Sequence, residues 1–357
     1  MLKVKFENNK ALFYAELKSR IDRYFEQNKI QKTGNFQLYL KTIVLSTVFV
    51  LNYVILVFFT PATLPALLLC ALMGMTFSAI GFNMMHDGAH GTYSKNKTVN
   101  VIMAHTLNLL GGNAYLWNQK HNINHHTFTN VEGLDDDIDL KPFIRVHDDQ
   151  KKLKMHRYQH IYVPFLYGLT LLFWVFYRDF KKYFSGTIAE NTAMKKMKLN
   201  DHFVFWAFKI IHIGLFLVIP MMLIGFWQTL LGYITMSVSA GFVLSVVFQL
   251  AHVVEDTSFE SPKDNLVHIQ SEWAVHQVRT TANFATGNKV LSWLLGGLNY
   301  QVEHHLFPNI SHIHYPQINR FVKDVCKDFN IQYIEYPTMW LAFRSHLAHM
   351  KRIGSAI

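Results

Sequence analysis

The sequence is poor in charged residues and in cysteine. Only 16% of its 357 residues are charged, whereas 50% are hydrophobic. A water-soluble domain of this length does not need so many apolar side chains, so the composition favours insertion into a membrane. The two cysteines are Cys70, inside an apolar run, and Cys326, in a polar stretch. This distribution argues against a disulfide scaffold and against a cysteine-rich zinc site.

The basic excess needs a partner of opposite charge. The formal net charge is +10, which suits either nucleic acid or anionic lipid. The sequence contains no nucleic-acid-binding motif, so we expect no nucleic-acid partner and assign the charge to the membrane surface. The first 41 residues are polar and basic, and they lack the cleavage site of a signal peptide.

Four long apolar runs occupy 42–59, 62–85, 203–226 and 229–251. A helix of 18 residues covers about 27 Å, close to the thickness of the hydrocarbon core. The short turns within each pair, near Pro61 and Trp227, contain no Lys or Arg, which places them outside the cell. The runs therefore predict an all-α polytopic membrane protein with four transmembrane helices in two hairpins. In such a span, Lys209 and His212 are expected to extend toward the lipid headgroups.

These runs divide the chain into five parts. We expect a cytosolic N-terminal segment at 1–41 and a hairpin at 42–85. A cytosolic region follows at 86–202, then a second hairpin at 203–251 and a cytosolic C-terminal region at 252–357. Residues 161–177 are also apolar and could just span, but a third crossing between the hairpins would separate the histidine clusters described below. We therefore predict that 161–177 lies in the interface or enters only part-way. Both termini and a helical cap then face the cytoplasm. In a bacterium, the protein is expected in the inner membrane.

Histidines are concentrated in three short clusters beside the apolar runs. Crowded imidazoles are costly to bury unless a ligand binds their lone pairs, and that ligand is usually a transition metal. The first and third clusters have helical spacing, so their members share one helix face. In the second cluster the third histidine would point away unless the helix widens into a π-turn or ends there. A further histidine directly follows the fourth apolar run. The predicted metal ligands are His86, His90, His121, His125, His126, His252, Gln301, His304 and His305.

Eight imidazoles and one amide are too many ligands for one metal ion and suit two. Neutral imidazole binds iron, copper, zinc and nickel, so the spacing leaves the metal open, although a dinuclear nitrogen-rich site suits iron that activates oxygen. Carboxylates near the clusters could hold the imidazole N–H groups. The candidates are Asp87, Asp256 and Glu303, each of which could equally be a surface charge, and the acidic run at 135–139, which is most simply a solvated loop.

The order of the motifs, His-x3-His, His-x3-His-His and Gln-x2-His-His, resembles the membrane fatty acid desaturase superfamily. The flanking residues at 115–118, 127–130 and 306–308 agree, and the Gln of the third motif is similar to the acyl-lipid and front-end branch. The resemblance covers roughly residues 40–340. It implies a dinuclear iron centre that uses O2 as co-substrate to introduce a cis double bond into a fatty acyl lipid or an acyl thioester. The sequence contains no His-Pro-Gly-Gly haem motif, so the electrons are expected from a separate ferredoxin or cytochrome b5-type protein.

Two other activities fit parts of the pattern. A hydroxylase on the same scaffold would also begin with abstraction of hydrogen from the acyl chain. A metal-ion transporter would use histidines as well, but it should place its ligands in the middle of the spans. Here the clusters flank the spans, which favours the desaturase.

Overall fold

The computed structural model describes residues 2–7, 12–263 and 265–355. The helices are α1 (Leu12–Gln27), α2 (Phe36–Phe59), α3 (Thr63–Ala89), α4 (Lys97–Leu109), α5 (114–125), α6 (Lys154–Ser185), α7 (Leu199–Ile224), α8 (Phe226–His252), α9 (Trp273–Arg279), α10 (Lys289–Leu294), α11 (Gln301–Leu306), α12 (Tyr315–Asp328) and α13 (Met339–Ser355). Short strands form three two-stranded sheets. They are β1 (Lys3–Phe6) with β4 (Leu266–Ile269), β2 (Thr187–Ala189) with β3 (Thr192–Ala193), and β5 (Asn283–Phe284) with β6 (Glu335–Tyr336).

Five helices within the described residues are long and apolar enough to cross a membrane: α2, α3, α6, α7 and α8. The sequence predicted four. The additional helix is α6, which extends the expected 161–177 segment at both ends to 32 residues. The mainly helical, multi-pass character of the chain is confirmed, and the number of helices that cross is addressed below.

Helices α3 and α8 form the central pair. Gly74 permits their close approach, because a Cβ at this position would overlap the backbone oxygen of Met236. Ser78 then donates a hydrogen bond of 3.1 Å to the backbone oxygen of Ala240. Both helices run in the same direction, and they end at Ala89 and His252. The packing of small residues therefore delivers two histidine-bearing helix ends to one place.

Helix α6 packs antiparallel along α8. Thr170 receives a hydrogen bond of 2.7 Å from Ser245, and the ring of Phe176 contacts that of Tyr233. A hydrogen bond joins the Gln159 side chain to the backbone of Arg145, and Arg178 binds Asp136 at 2.6 Å. Both halves of α6 are thus attached to the charged loop at 136–150.

Lys209 and His212 differ from the sequence prediction. Both side chains are buried rather than extended toward headgroups. The Lys209 ammonium donates hydrogen bonds to Gly111 and Val175 backbone oxygens and pairs with Asp179 at 2.9 Å. A buried ammonium is stable only with such a full set of acceptors, so this pair connects α6 to α7.

Candidate metal centre

The first histidine cluster lies at the end of α3. The helix widens into a π-helical turn at Gly81–Met85 and then continues through His86–Ala89. His86 is buried, and its imidazole ring lies 4.7 Å from that of His90, measured between ring centroids. The extra residue of the π-turn rotates the last helical turn, which directs both rings toward the polar side of the fold.

The second cluster contains the π-helix that the sequence offered as one of two possibilities. Residues Asn118–His125 are π-helical, and the backbone N–H of His126 bonds to the oxygen of His121, five residues earlier. This hydrogen bond brings His126 to the same face as His121, and their Nε2 atoms lie 3.2 Å apart. Asn113 caps the preceding turn through the N–H of Leu116 and so fixes where the helix begins.

The third cluster occupies the short helix α11, which a buried carboxylate holds in place. Glu303 accepts hydrogen bonds from Asn283 at 2.6 Å, Asn319 at 3.0 Å and Tyr333 at 2.9 Å. Burial raises the pKa of Glu303. Since a six-residue helix is too short to be stable alone, these contacts set its position. Gln301 is the first residue of α11, and its side chain is buried.

The eight histidines named from the sequence converge in the structure. They form groups whose nitrogen atoms lie within 4.8 Å of one another. One group contains His86, His90, His121 and His304, and a second contains His125, His252 and His305. His126 lies between them, grouped with His304 and His305. Three distant segments and the end of α8 thus build one pair of adjacent nitrogen-rich sites.

Four of these rings share one hydrogen-bonding pattern. Each has a partner at Nδ1, whereas within the described residues its buried Nε2 has none. The Nδ1 partners are the side chains of Asp135 for His125 at 3.0 Å, Tyr315 for His304 at 3.1 Å and Gln277 for His305 at 2.9 Å, and the backbone oxygen of Thr280 for His252 at 3.2 Å. Metal-binding histidines characteristically have one nitrogen held by a hydrogen bond and the other aimed at the ion.

Burial also sets the protonation of the rings. It lowers the pKa of His90, His121, His126, His304 and His305 well below the ordinary value, so these imidazoles are neutral and keep a free lone pair. His125 is the exception. Burial acts to lower its pKa, but the neighbouring Asp135 carboxylate outweighs burial and raises it. Both effects suit metal ions, since a bound cation would take the place of the proton on His125 and would bind the lone pairs of the neutral rings directly.

Three carboxylates expected to hold ligand imidazoles have other partners. Asp87 lies 3.0 Å from Nδ1 of His312, which is outside the clusters, and Asp256 accepts a hydrogen bond from Tyr336. Glu303 binds the two asparagines and the tyrosine described above. The acidic run, which the sequence indicated most simply as a solvated loop, does supply an orienting carboxylate, Asp135. The partners Gln277, Thr280 and Tyr315 were missed, because nothing in their local sequence distinguishes them.

Comparisons with known proteins agree with this geometry. Residues 60–337 match the family model described as fatty acid desaturase. The chain is 34% identical to an sn-1 linoleoyl-lipid 6-desaturase of Synechocystis sp., over 99% of this chain and 98% of that protein. It is 36% identical to the protein of the same name from Arthrospira platensis, over 96% of this chain and 92% of that protein. It is also 36% identical to an acyl-lipid (8-3)-desaturase of Physcomitrium patens, over 96% of this chain and 72% of that protein. The chain belongs to the fatty acid desaturase family and is an oxidoreductase of that family.

Proposed function

We propose that this desaturase introduces a cis double bond into an acyl chain of a membrane glycerolipid at a dinuclear iron centre. The observation that supports this proposal most strongly is the convergence of eight imidazoles, four of which aim an unpartnered buried Nε2 at the same small volume. The donors are mainly imidazole nitrogens, which suit iron, and the groups found among the described residues contain no cysteine.

The two geometric groups suggest how two ions would be divided. His86, His90, His121 and His304 would hold the first ion, and His125, His126, His252 and His305 the second. Gln301, buried at the start of α11, would add an amide oxygen or hold a bound water. When bound, the iron ions would reduce O2 with two supplied electrons and so provide the oxidant that removes two hydrogens from adjacent carbons.

The protein residues then have the tasks of orientation and exclusion. Asp135, Thr280, Tyr315 and Gln277 fix the rotation of four rings, which keeps the ions in one geometry during turnover. Seven of the eight rings are buried, so bulk water is kept from the reactive centre. The site lies at the ends of α3 and α8, and an acyl chain could reach it directly from the bilayer between apolar helices.

An intact glycerolipid is the substrate class that we favour over an acyl thioester. Two relatives that align along nearly their whole length bear the name sn-1 linoleoyl-lipid 6-desaturase. The electrons would come from a separate ferredoxin or cytochrome b5-type protein.

We also propose that four of the five apolar helices cross the membrane, and that α6 enters without crossing. Both halves of α6 contact the loop at 136–150, through Gln159 with Arg145 and Arg178 with Asp136. That loop carries charges that hydrocarbon would exclude. If the two contacts between α6 and this loop lie on the same side of the membrane as all the histidine clusters, the termini and the clusters are cytoplasmic. The turns near Pro61 and Gly225 are then external.

A hydroxylase on this scaffold is not favoured by the comparisons, and a metal transporter should hold its ligands within its spans rather than at their ends.

One experiment separates these activities. The chain is expressed in a host that lacks polyunsaturated lipids, and the lipids are analysed by mass spectrometry before and after release of the sn-1 chain. The expected product has lost two hydrogens and remains in a glycerolipid. A product that has gained oxygen, or no lipid change with loaded iron and a supplied donor, would contradict the proposal. The His304→Ala, His305→Ala double variant is the matched negative control.

A further inference from the structure

An exposed apolar surface lies on the C-terminal region, outside the apolar helices. It is formed by one face of α10 and by the beginning of α13. Its members are large side chains with exposed fractions between 39% and 71%: Val290, Trp293, Leu294, Trp340 and Leu341. We call these five residues the α10–α13 surface. Beneath it, Leu291, Met339 and Phe343 pack against the same buried hydrophobic cluster, so the two helices rest on one shared core.

This surface is joined directly to two membrane helices. The side chain of Asn83, on α3, donates a hydrogen bond of 2.9 Å to the backbone oxygen of Leu294. The loop after α10 contacts the backbone of Phe82, where Gly296 has φ +58° and a Cβ would overlap the Phe82 carbonyl. Any side chain there would push α10 away from α3, so the attachment is close and specific.

The depth of the surface follows from its contact with α2. The Lys41 ammonium of α2 lies 5.3 Å from the ring centroid of Trp293 and donates a hydrogen bond to Asn83. Lys41 is buried, but its neighbours along α2 present apolar side chains outward: Leu40 is 48% exposed and Ile43 is 62% exposed. Trp293 thus lies at the level where α2 already faces lipid. Helix α10 could face bulk water at that depth only if it moved away from α2 and α3, which it contacts through Trp293 and Leu294.

We infer that the α10–α13 surface is inserted into the headgroup and upper acyl region of the leaflet that faces the metal centre. Its composition matches this environment, because tryptophan side chains concentrate at membrane interfaces and apolar neighbours enter the acyl boundary. Two exposed cations, Lys289 and Arg344, flank the surface and suit anionic headgroups. The surface is also contiguous with α2 and α3, so its occupant is the same bilayer rather than a protein partner. The C-terminal region is therefore a membrane-contacting domain, not one held away from the lipid by the spans.

The test measures the surroundings of single side chains and does not depend on catalysis. Cys70 and Cys326 are replaced by alanine, and a nitroxide is attached at Val290→Cys or Trp340→Cys in protein reconstituted into lipid nanodiscs. Ile43→Cys is the control for a lipid-facing position and Lys327→Cys the control for a water-facing one, since both side chains are exposed. Spin relaxation is compared in the presence of oxygen, which partitions into lipid, and of a water-soluble nickel chelate.

Both test positions should behave like Ile43, with relaxation dominated by oxygen. Relaxation dominated by the nickel chelate at either position would overturn the inference. Monodispersity and iron content of each labelled protein establish that the fold is intact. Because no product is measured, failure of this inference would leave the proposed reaction untouched, and an inactive protein could still show an inserted surface.

Discussion

At the scale of single residues, the groups that orient the metal-facing histidines lie outside the histidine motifs. His125, His252, His304 and His305 are each held at Nδ1 by a residue from another segment. Replacing a side-chain partner, Asp135, Gln277 or Tyr315, leaves the imidazole in place but frees its rotation. Such substitutions therefore separate orientation of a ligand from the presence of a ligand. The partner of His252 is the backbone oxygen of Thr280, which a substitution does not remove.

Asp135→Asn tests this orientation. The amide keeps the shape of the carboxylate but loses its charge, so it cannot raise the basicity of His125. We expect metal affinity or turnover to fall by about 10–100-fold, the usual effect of losing an outer partner. Iron content after dialysis against a graded chelator measures the affinity. Asp139→Asn, on the same loop with a half-exposed carboxylate, is the control and should match wild type. Equal chelator resistance of both variants would show that Asp135 has no role in the site.

His252→Ala tests the histidine that belongs to no motif. Its ring lies 4.7 Å from that of His125 and 4.8 Å from that of His305, measured between centroids. Loss of this ring should abolish product and reduce bound iron below the wild-type stoichiometry, because the second group loses one of its nitrogens. His105→Ala removes a histidine whose hydrogen bond, among the residues that the structure describes, is to Val101 of its own helix, and it should change neither quantity. Wild-type iron and turnover in His252→Ala would remove this residue from the centre.

Gln301 is best tested with two substitutions. Gln301→Leu fills a similar volume without a coordinating atom, so most activity should be lost. Gln301→His supplies a stronger ligand and should retain iron, although turnover falls if the centre is tuned to an amide. Iron stoichiometry and product yield are measured together for both variants. Full turnover in Gln301→Leu would show that the third motif acts through its two histidines alone.

At the scale of elements, the geometry of the centre depends on π-helical turns and short capped helices. The π-turns at Gly81–Met85 and Asn118–His125 each add a residue that rotates the following histidines. Helix α11 is six residues long and is held by three hydrogen bonds to Glu303. These elements are unstable in isolation, and the packing of α3 against α8 supports them.

The position of α6 can be tested by labelling from outside the cell. Single cysteines replace Lys154, the first residue of α6, and Glu190, which follows α6 between β2 and β3, in a background without Cys70 and Cys326. If α6 does not cross, an impermeant maleimide added to intact cells should modify neither. Thr60→Cys, in the external turn of the first hairpin, should be modified readily. Modification of only one of the two flanking cysteines would show that α6 crosses and would separate the histidine clusters.

At the scale of the whole molecule, the metal centre joins parts of the chain that are distant in sequence. The ends of α3 and α8 are joined there by α5 and α11, and the histidines of these segments have buried nitrogens without hydrogen-bond partners among the described residues. Buried polar atoms of this kind destabilise a fold unless a ligand satisfies them. Metal ions should therefore contribute to the stability of the whole protein.

Thermal unfolding measures this contribution. Added ferrous ion should raise the Tm of protein from which a chelator has removed the metal. At a free ion concentration of 100 times Kd, binding should increase the free energy of unfolding by about 2.7 kcal/mol. The His304→Ala, His305→Ala double variant removes one nitrogen from each group. In this variant the same addition should leave Tm nearly unchanged. A Tm that is identical with and without metal in the wild type would show that the nitrogens are satisfied in another way.

The sequence by itself determined the three histidine motifs and the family, and it identified the apolar segments, although it predicted four spans where the described residues contain five apolar helices of sufficient length. Motif spacing is a local property: residues three and four apart share a helix face wherever the helix lies, and long uncharged runs identify membrane helices without reference to the fold. For the same reason His252 could be found from its place at the end of an apolar run. The irregular second motif left two possibilities, a π-turn or a helix end, and the structure contains the π-turn.

Only the tertiary structure decided which groups support the histidines and where the buried charges lie. Gln277, Thr280 and Tyr315 orient rings from segments separated by many residues, and no periodicity encodes such contacts. Asp87 and Glu303 lie beside histidines in sequence, but helical geometry turns their carboxylates to the opposite side. Asp87 there contacts His312, and Glu303 accepts hydrogen bonds from Asn283 and its neighbours. Lys209 of α7 can be buried because its ammonium binds Asp179 and two backbone oxygens from other parts of the chain. These outcomes depend on distances between elements, which are fixed by packing and by the burial of polar groups rather than by local sequence.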